Sequence, residues 1–352
     1  MGSKEYGVFL PIGNGGWLIS DTAPHAEATY EQNKNTAVLA EEAGMDFAMA
    51  MAKWRGFGGT TDHWGRTLES ITMMAGIAEA TSTIDIWATV HANLQNPAIA
   101  AKMFTTLEHI APGRVGMNIV SGSYAAEFEQ MGMWDAAMTK DERYRMVDEW
   151  ITAIKALWND GRVDMDGEFF SLTDCESRPQ PSTTPTLISA GRSEPGRAFQ
   201  AKHCDGAFLG ADSPEELRDL SRDVHERAAS FDRECKTYAM LTVVMDETDA
   251  IAEQRAEAYG EGVDREALTA MAMSWGMPHD RALSWTAEAK GHAAFQTPFV
   301  AGSRDTVVEK IETIVNKAEL DGLMLIFPDY ERELPIFGAE ALPLLRGKDV
   351  PA

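Results

Sequence analysis

The chain has 352 residues, of which 44% are hydrophobic, and its formal net charge is −24 because 55 acidic side chains outnumber 31 lysines and arginines. This composition is typical of a globular protein with a packed core, whereas the acidic balance argues against nucleic acid and anionic membranes as partners. Cys175, Cys204 and Cys235 lack metal-ligand spacing, so we expect reduced thiols in a cytoplasmic protein. We expect no membrane helix or signal peptide, because no apolar run approaches ~20 residues.

Short, nearly continuous apolar runs alternate with helical patterns from one end of the chain to the other. We predict strands at 6–12, 47–51, 84–90, 115–120, 186–191, 205–210, 238–245 and 322–328. We predict helices at 28–43, 68–80, 97–110, 141–158, 194–202, 213–230, 303–318 and 336–345. Pro97 and Ser213 stand at helix starts, where proline and serine are favoured.

Eight strand–helix units with buried strands favour parallel pairing, and eight such units close a (β/α)8 TIM barrel. A barrel takes roughly 250 residues. We assign the surplus to two insertions, a hairpin near 162–185 after strand four and two or more helices near 248–300 after strand seven. The sequence therefore predicts an α/β protein with one barrel domain over residues 1–352. An open, doubly wound sheet is the alternative fold.

In a (β/α)8 barrel, the residues at the C-terminal ends of the strands carry the chemistry. Lys53, Thr89, His91, Asn118 and Ser193 occupy such positions. The carboxamide of Asn118 donates and accepts at once, which suits a ring with alternating nitrogens and carbonyls. The same residue could instead only tie down a loop.

The segment that follows strand five opens a helix with Gly191, Arg192 and Ser193. Free N–H groups, a hydroxyl and a cation at a helix start are typical of a phosphate site, although an ordinary serine cap has the same pattern. Arg143 and Tyr144 begin the helix at 141–158 and could reach the same phosphate, or they could form a solvated helix start.

Trp17, Trp54, Phe57 and Trp64 lie in the loops of this rim and could wall a planar ligand, although each could equally be a core residue. His91 is a candidate general acid or base, with a structural role as the alternative. We find no HExxH, no clustered histidines and cysteines and no GxSxG, so we expect no metal site and no serine nucleophile. The chemistry is therefore expected to come from a cofactor.

Five segments together resemble the bacterial-luciferase-like flavin monooxygenases, in the branch that holds pyrimidine oxygenase, dimethylsulfone monooxygenase and riboflavin lyase. They are PIGNGGWLIS at 11–20, RGFGG at 55–59, GRVGMNIVSG at 113–122, EFEQMG at 127–132 and ISAGRS at 188–193. The resemblance covers nearly the whole chain and is weaker through 250–300.

This resemblance implies a barrel that binds FMN at its C-terminal face and uses O2. Reduced FMN would come from a separate NAD(P)H:flavin reductase that binds transiently, and homo-oligomers are common in the family. Thr89 and Asn118 match the positions that line the oxygen pocket beside flavin N5. The positions that match cofactor-binding residues are Ala52, Lys53, Asn118, Glu127, Arg143, Tyr144, Ala190, Gly191 and Ser193.

The chain departs from the pyrimidine oxygenases of this branch at two places. Ser123 stands where they carry an aromatic residue, and the polar run 91–96 replaces an apolar one. We therefore expect a larger, more polar substrate pocket, lined by Trp17, His91, Asn93 and Ser123. Riboflavin cleavage at a C–N bond is the expected activity, with a pyrimidine (uracil) or sulfone substrate as the alternative. Other classes are a deazaflavin-dependent oxidoreductase and a non-catalytic flavin-binding protein.

Overall fold

The computed structural model describes residues 4–122, 124–211 and 213–347. Within these ranges the strands alternate with helices as the apolar pattern predicts. The strands are β1 Glu5–Phe9, β2 Phe47–Ala50, β3 Asp85–His91, β4 Val115–Val120, β5 Arg162–Asp166, β6 Ser171–Glu176, β7 Thr186–Ser189, β8 Gly206–Leu209, β9 Lys236–Met245, β10 Phe299–Gly302 and β11 Gly322–Ile326.

The helices of the described ranges surround the strands. They are α1 Tyr30–Glu42, α2 Ser70–Ala80, α3 Pro97–Ile110, α4 Ala125–Glu129, α5 Lys140–Asp160, α6 Glu194–His203, α7 Pro214–Ala229, α8 Asp249–Glu261, α9 Arg265–Ser274, α10 His279–Glu288, α11 Arg304–Lys317, α12 Tyr330–Glu340 and α13 Leu342–Leu345. No helix in these ranges is both long and apolar enough to cross a bilayer.

Eight parallel strands of the described chain close into a barrel. Their order is β1, β2, β3, β4, β7, β8, β9 and β11, and β11 pairs with β1 to complete the ring. The closing register sets Glu5 opposite Gly322, and β8 pairs with β9 from Gly206 opposite Lys236. The predicted (β/α)8 TIM barrel is confirmed, and the alternative of an open sheet is wrong.

Aromatic side chains fill the N-terminal half of the barrel interior. The Phe47 and Trp87 rings stack with centroids 3.8 Å apart, and Tyr238 packs edge-on against both. Glycines make the room, because a Cβ at Gly7 would lie 2.2 Å from the Phe47 ring and one at Gly116 would lie 2.4 Å from Trp87. These rings fill the interior near the strand starts, and the C-terminal end of the barrel, where such folds bind their ligands, is called the mouth.

The segments assigned as insertions differ in how they attach. The predicted hairpin is formed by β5 and β6, and the Glu149 carboxylate accepts the N–H groups of Glu168, Phe169 and Phe170 at its turn. The segment 249–296 holds α8, α9, α10 and a short 3-10 helix at Gly291–Ala294. Two isolated antiparallel β-bridges, Leu18 to Phe295 and Ser20 to Val263, join this segment to the loop after β1. They hold it beside the mouth.

Three local features differ from the sequence prediction. The last long helix, α12, begins at Tyr330 rather than at 336, because the Asp329 side chain caps it, and it contains Pro335. Helix α4 and strand β10 were not predicted. Both are short, and β10 forms by pairing with the C-terminal half of β9, which is a contact the local pattern does not encode.

Candidate active site

Asn118 and Thr89 face each other across neighbouring strands at the mouth. The register of β3 and β4 pairs them directly, and Asn118 Nδ2 donates to Thr89 Oγ1 at 2.9 Å. Each residue is only 4% exposed, and the Thr89 N–H donates to Ser70 Oγ at 3.0 Å, which fixes the pair from behind. Asn118 Oδ1 is buried and has no partner among the described residues. A buried acceptor without a donor is typical of a ligand site.

Lys53, in the loop after β2, forms a buried ion pair with Glu127 of α4. Lys53 Nζ lies 3.4 Å from Glu127 Oε2, and the side chains are 9% and 5% exposed. The ammonium also lies 4.6 Å from the ring centroids of Phe57 and Tyr124. Burial lowers the pKa of Lys53, and the Glu127 carboxylate opposes that shift. The mouth therefore holds a desolvated cation that can polarise a ring carbonyl.

His91 is the last residue of β3, and a hydrogen bond sets its tautomer. Trp54 Nε1 can only donate, and it lies 3.2 Å from His91 Nδ1, so Nδ1 accepts and Nε2 carries the proton. Burial, helped by the charge of Lys53, lowers the pKa of His91 to about 3. His91 is thus neutral near pH 7, where it can donate a hydrogen bond but holds no extra proton for acid catalysis.

Asn93 lies in the loop after β3, against the loop after β4. A Cβ at Gly122 would be 3.0 Å from Asn93 Oδ1 and 2.8 Å from the Phe128 ring, so both side chains occupy the space that the glycine leaves. Asn93 Oδ1 is buried and has no partner in the described part of the chain. Ser123, the other polar residue predicted here, lies outside the described residues.

The loop after β7 forms a narrow cradle at the start of α6. A Cβ at Gly191 would lie 2.8 Å from both Tyr144 Oη and Gly196 Cα, and one at Gly196 would lie 2.6 Å from Tyr144 Oη. Ser193 caps α6 by accepting the Gly196 N–H at 3.3 Å. A hydroxyl, a serine cap and helix N–H groups therefore converge where no side chain fits, which suits an anion.

The hydrogen bonds of two further predicted site residues, Arg143 and Trp17, are local, and their roles stay predictions. Arg143 donates to the Met138 carbonyl at 3.1 Å and lies over the Trp134 ring at 5.1 Å. Trp17 donates to the Leu10 carbonyl at 3.1 Å and stacks on Phe9, so it supports the loop after β1. Ala52 lies two residues after β2 and Ala190 directly follows β7, and the roles of both stay predictions.

His63, in the loop after β2, is a buried residue that was not identified from the sequence. It is fully buried, stacks on Trp64 with centroids 4.8 Å apart, and accepts at Nε2 from Gln296 Nε2 at 2.7 Å. Burial lowers its pKa to about 3, so it is neutral. A lone histidine in a loop resembles any surface histidine in sequence, and its partner Gln296 is 233 positions away.

The residues at the mouth fit a flavin mononucleotide. Such a cofactor has a planar ring with carbonyl and N–H groups at one end and a phosphate at the other. The open Oδ1 of Asn118 and the cation of Lys53 suit the ring, and the cradle of Gly191, Ser193 and Tyr144 suits the phosphate. No group of three residues suited to a metal ion occurs within the ranges described.

Comparison with known proteins gives the family. The sequence profile of the luciferase-like monooxygenases matches residues 4–320. The pyrimidine monooxygenase RutA of Methylorubrum extorquens is 35% identical over 353 residues, covering 98% of this chain and 94% of that protein. RutA of Caulobacter vibrioides is 36% identical over 352 residues, covering 98% and 99%.

Solved structures agree on the fold. Riboflavin lyase (RcaE), crystallised with modified FMN and riboflavin, superposes with a TM-score of 0.85 at 21% identity, covering 100% of this chain and 93% of that one. Identity this low supports the shared barrel alone, whereas the family profile and the full-length relatives support the class of enzyme. The chain therefore belongs to the luciferase-like monooxygenase family and is a flavin-dependent monooxygenase.

Proposed function

We propose that this enzyme uses reduced FMN and O2 to cleave a C–N bond in a pyrimidine ring such as uracil. The observation that carries the proposal is the similarity, over 98% of the chain, to relatives named pyrimidine monooxygenase at 35% and 36% identity. Luciferase-like monooxygenases in general use reduced flavin and O2. Cleavage of a C–N bond is also the expectation from the sequence, but in riboflavin and not in a pyrimidine.

We propose a pyrimidine as the substrate in place of riboflavin, which was the expectation from the sequence. The expectation of riboflavin depended on the polar pocket around His91, Asn93 and Ser123. Riboflavin lyase shares only 21% identity with this chain, which supports the fold and not the substrate. A polar pocket is also compatible with a pyrimidine, because that ring carries its own N–H and carbonyl groups.

The chain's residues have distinct roles in this proposal. FMN, when bound and reduced, supplies the electrons that O2 receives. Tyr144, Gly191 and Ser193 would hold its phosphate, and Lys53 and Asn118 its ring. Thr89 and Asn118 provide a dry, polar recess for oxygen, because both side chains are buried and held by hydrogen bonds. Glu127 keeps the Lys53 ammonium in place through its ion pair.

We infer that a separate NAD(P)H:flavin reductase supplies the reduced FMN and binds transiently, and that the enzyme works as a homo-oligomer. The family resemblance supports both points. The three cysteines are free in the described structure, as is usual in a reducing compartment, and this supports a cytoplasmic location.

The test is turnover with an added flavin reductase, NADH, FMN and 18O2, in parallel reactions with uracil and with riboflavin. We expect uracil to be consumed and one labelled oxygen atom to enter a ring-opened product that mass spectrometry identifies. Faster consumption of riboflavin would restore the riboflavin hypothesis. Consumption of neither ring, with flavin oxidation intact, would refute both substrates.

A further inference from the structure

The end of β3 and the loop that follows it carry polar groups that no cofactor role uses. His91 is 8% exposed, and no hydrogen bond of the described residues engages its Nε2. Because Nδ1 accepts from Trp54, this Nε2 carries a proton and is an open donor. Asn93 Oδ1, two positions later, is a buried acceptor with no partner among the described residues. A donor at the last residue of β3 and an acceptor two residues later therefore lie close together in the chain.

Phe128 and Gly122 place these two groups on the same wall of the mouth. The His91 ring packs edge-on against Phe128 with centroids 5.1 Å apart. Phe128 and Asn93 both fill the space beside Gly122, where a Cβ would lie 2.8 Å and 3.0 Å from them. Gly122 has φ +74°, in the left-handed region where glycine is favoured, so this close approach is built into the backbone.

Trp54 adds a fixed aromatic surface beside this wall. The backbone N–H of Trp54 donates to Glu127 Oε1 at 2.5 Å, and its backbone carbonyl accepts from Gln130 Nε2 at 2.7 Å. Its indole N–H donates to His91 Nδ1. The residue is nevertheless 37% exposed. An exposed tryptophan held at three points is preorganised to pack against a planar ligand.

We propose that His91 and Asn93 recognise the N–H and C=O edge of the substrate ring, with Trp54 as its flat support. His91 Nε2–H would donate to a ring carbonyl, and Asn93 Oδ1 would accept from the neighbouring ring N–H. The substrate class is then a small planar lactam or imide whose ring nitrogen is unsubstituted. This inference rests on the proposed function and deepens it, because uracil has such an edge and a ring methylated at that nitrogen does not.

The test compares uracil with 1-methyluracil and 3-methyluracil. Calorimetry gives the dissociation constant of each compound for the FMN-loaded, oxidised enzyme, and turnover gives each KM. The wild type should bind one methyl isomer at least about tenfold more weakly than uracil, as expected for one lost hydrogen bond. His91→Phe and Asn93→Leu should each raise the uracil KM about tenfold while leaving FMN affinity unchanged. For the isomer that lacks the recognised N–H, Asn93→Leu should leave the dissociation constant close to the wild-type value.

Conservative and matched variants separate recognition from structure. His91→Gln and Asn93→Asp keep a donor and an acceptor, so they should recover part of the uracil affinity. Gln95→Met is the control, since Gln95 also has an open Oε1 but its carbonyl accepts from Trp150, towards α5. We expect wild-type KM for this variant.

The two proposals fail in different ways. If the wild type consumes no uracil, the proposed function is wrong, and the binding constants still decide the recognition proposal. If uracil is consumed but both methyl isomers bind as tightly as uracil, or His91→Phe and Asn93→Leu keep wild-type constants, the recognition proposal is overturned while the function stands.

Discussion

Asn118 is a buried amide of which only one half is satisfied by the protein. An unsatisfied buried oxygen costs about 1–3 kcal/mol, and the Oδ1 of Asn118 has no donor among the described residues. The hydrogen bond to Thr89 holds the amide in place from the other side. At the mouth of the barrel, a bound ligand can supply the missing donor, and the flavin ring is the ligand that the family implies.

Asn118→Ala should therefore separate cofactor binding from oxygenation. The phosphate cradle is untouched, so we expect FMN affinity to fall by less than about tenfold, whereas product formation should fall by about 100-fold or more. FMN fluorescence titration and product quantification measure the two effects. Asn33→Ala is the matched control, since Asn33 also has a buried open Oδ1 but lies on α1. Full product yield from Asn118→Ala would contradict the assignment of the oxygen pocket.

Gly191→Ala should weaken FMN binding directly. The added Cβ would lie 2.8 Å from Tyr144 Oη and from Gly196 Cα, so it fills the cradle proposed for the phosphate. We expect the dissociation constant for FMN to rise at least about tenfold. At Gly210 a new Cβ would meet its nearest neighbour, Arg192, at 3.6 Å, so Gly210→Ala should change the constant little. Equal constants for the two variants would place the phosphate elsewhere.

At the scale of elements, the segment 249–296 is held beside the mouth by two polar anchors. Asp264 accepts from the N–H and the hydroxyl of Thr61, each at 2.8 Å, which joins the start of α9 to the loop after β2. Arg255 on α8 pairs with Asp246 at 2.8 Å and with Glu333 at 2.6 Å, which joins the segment to β9 and α12. These anchors fix the wall of the mouth on that side.

Arg255→Met should destabilise the protein because it leaves the Glu333 carboxylate, 1% exposed in its side chain, without its cation, whereas Asp246 keeps its pair with Arg332 at 2.8 Å. Breaking a buried pair costs roughly 3–5 kcal/mol. Burial raises the pKa of Glu333 to about 7, so that carboxyl can be relieved by protonation and the low end is expected. Urea unfolding measures the change. Arg145→Met removes an exposed pair with Glu168 and should change the free energy of unfolding little. Equal losses for the two variants would show that the Arg255 pair does not stabilise the fold.

At the scale of the whole molecule, the closed ring brings residues from distant parts of the chain to one mouth. Two neutral histidines, His63 and His91, are buried there, and for both burial lowers the pKa to about 3. Their ordinary pKa is about 6.5, so between about pH 6.5 and 3 the unfolded chain binds protons that the folded chain does not. The contribution of both histidines to stability is therefore present above pH 6.5 and is lost as the pH falls.

His91→Phe should flatten the dependence of stability on pH. A histidine that stays neutral in the fold lowers the free energy of unfolding by about 2 kcal/mol between pH 7 and pH 5. The decrease in His91→Phe between these pH values should therefore be about 2 kcal/mol smaller than in the wild type. The free energy of unfolding in urea at pH 7 and pH 5 measures the difference. His25→Phe, at an exposed position, should keep the wild-type slope. The same slope for His91→Phe and the wild type would show that His91 accepts a proton in the folded state.

Apolar periodicity and helix caps act within a few residues of the chain, so the amino-acid sequence was enough to predict the eight barrel strands and most helix bounds, including α3 at Pro97–Ile110. The pairs Trp54–His91, Lys53–Glu127 and His63–Gln296, and the burial that keeps both histidines neutral, became visible in the folded chain. These contacts join residues 37, 74 and 233 positions apart. They depend on barrel closure and loop packing, which no local pattern encodes.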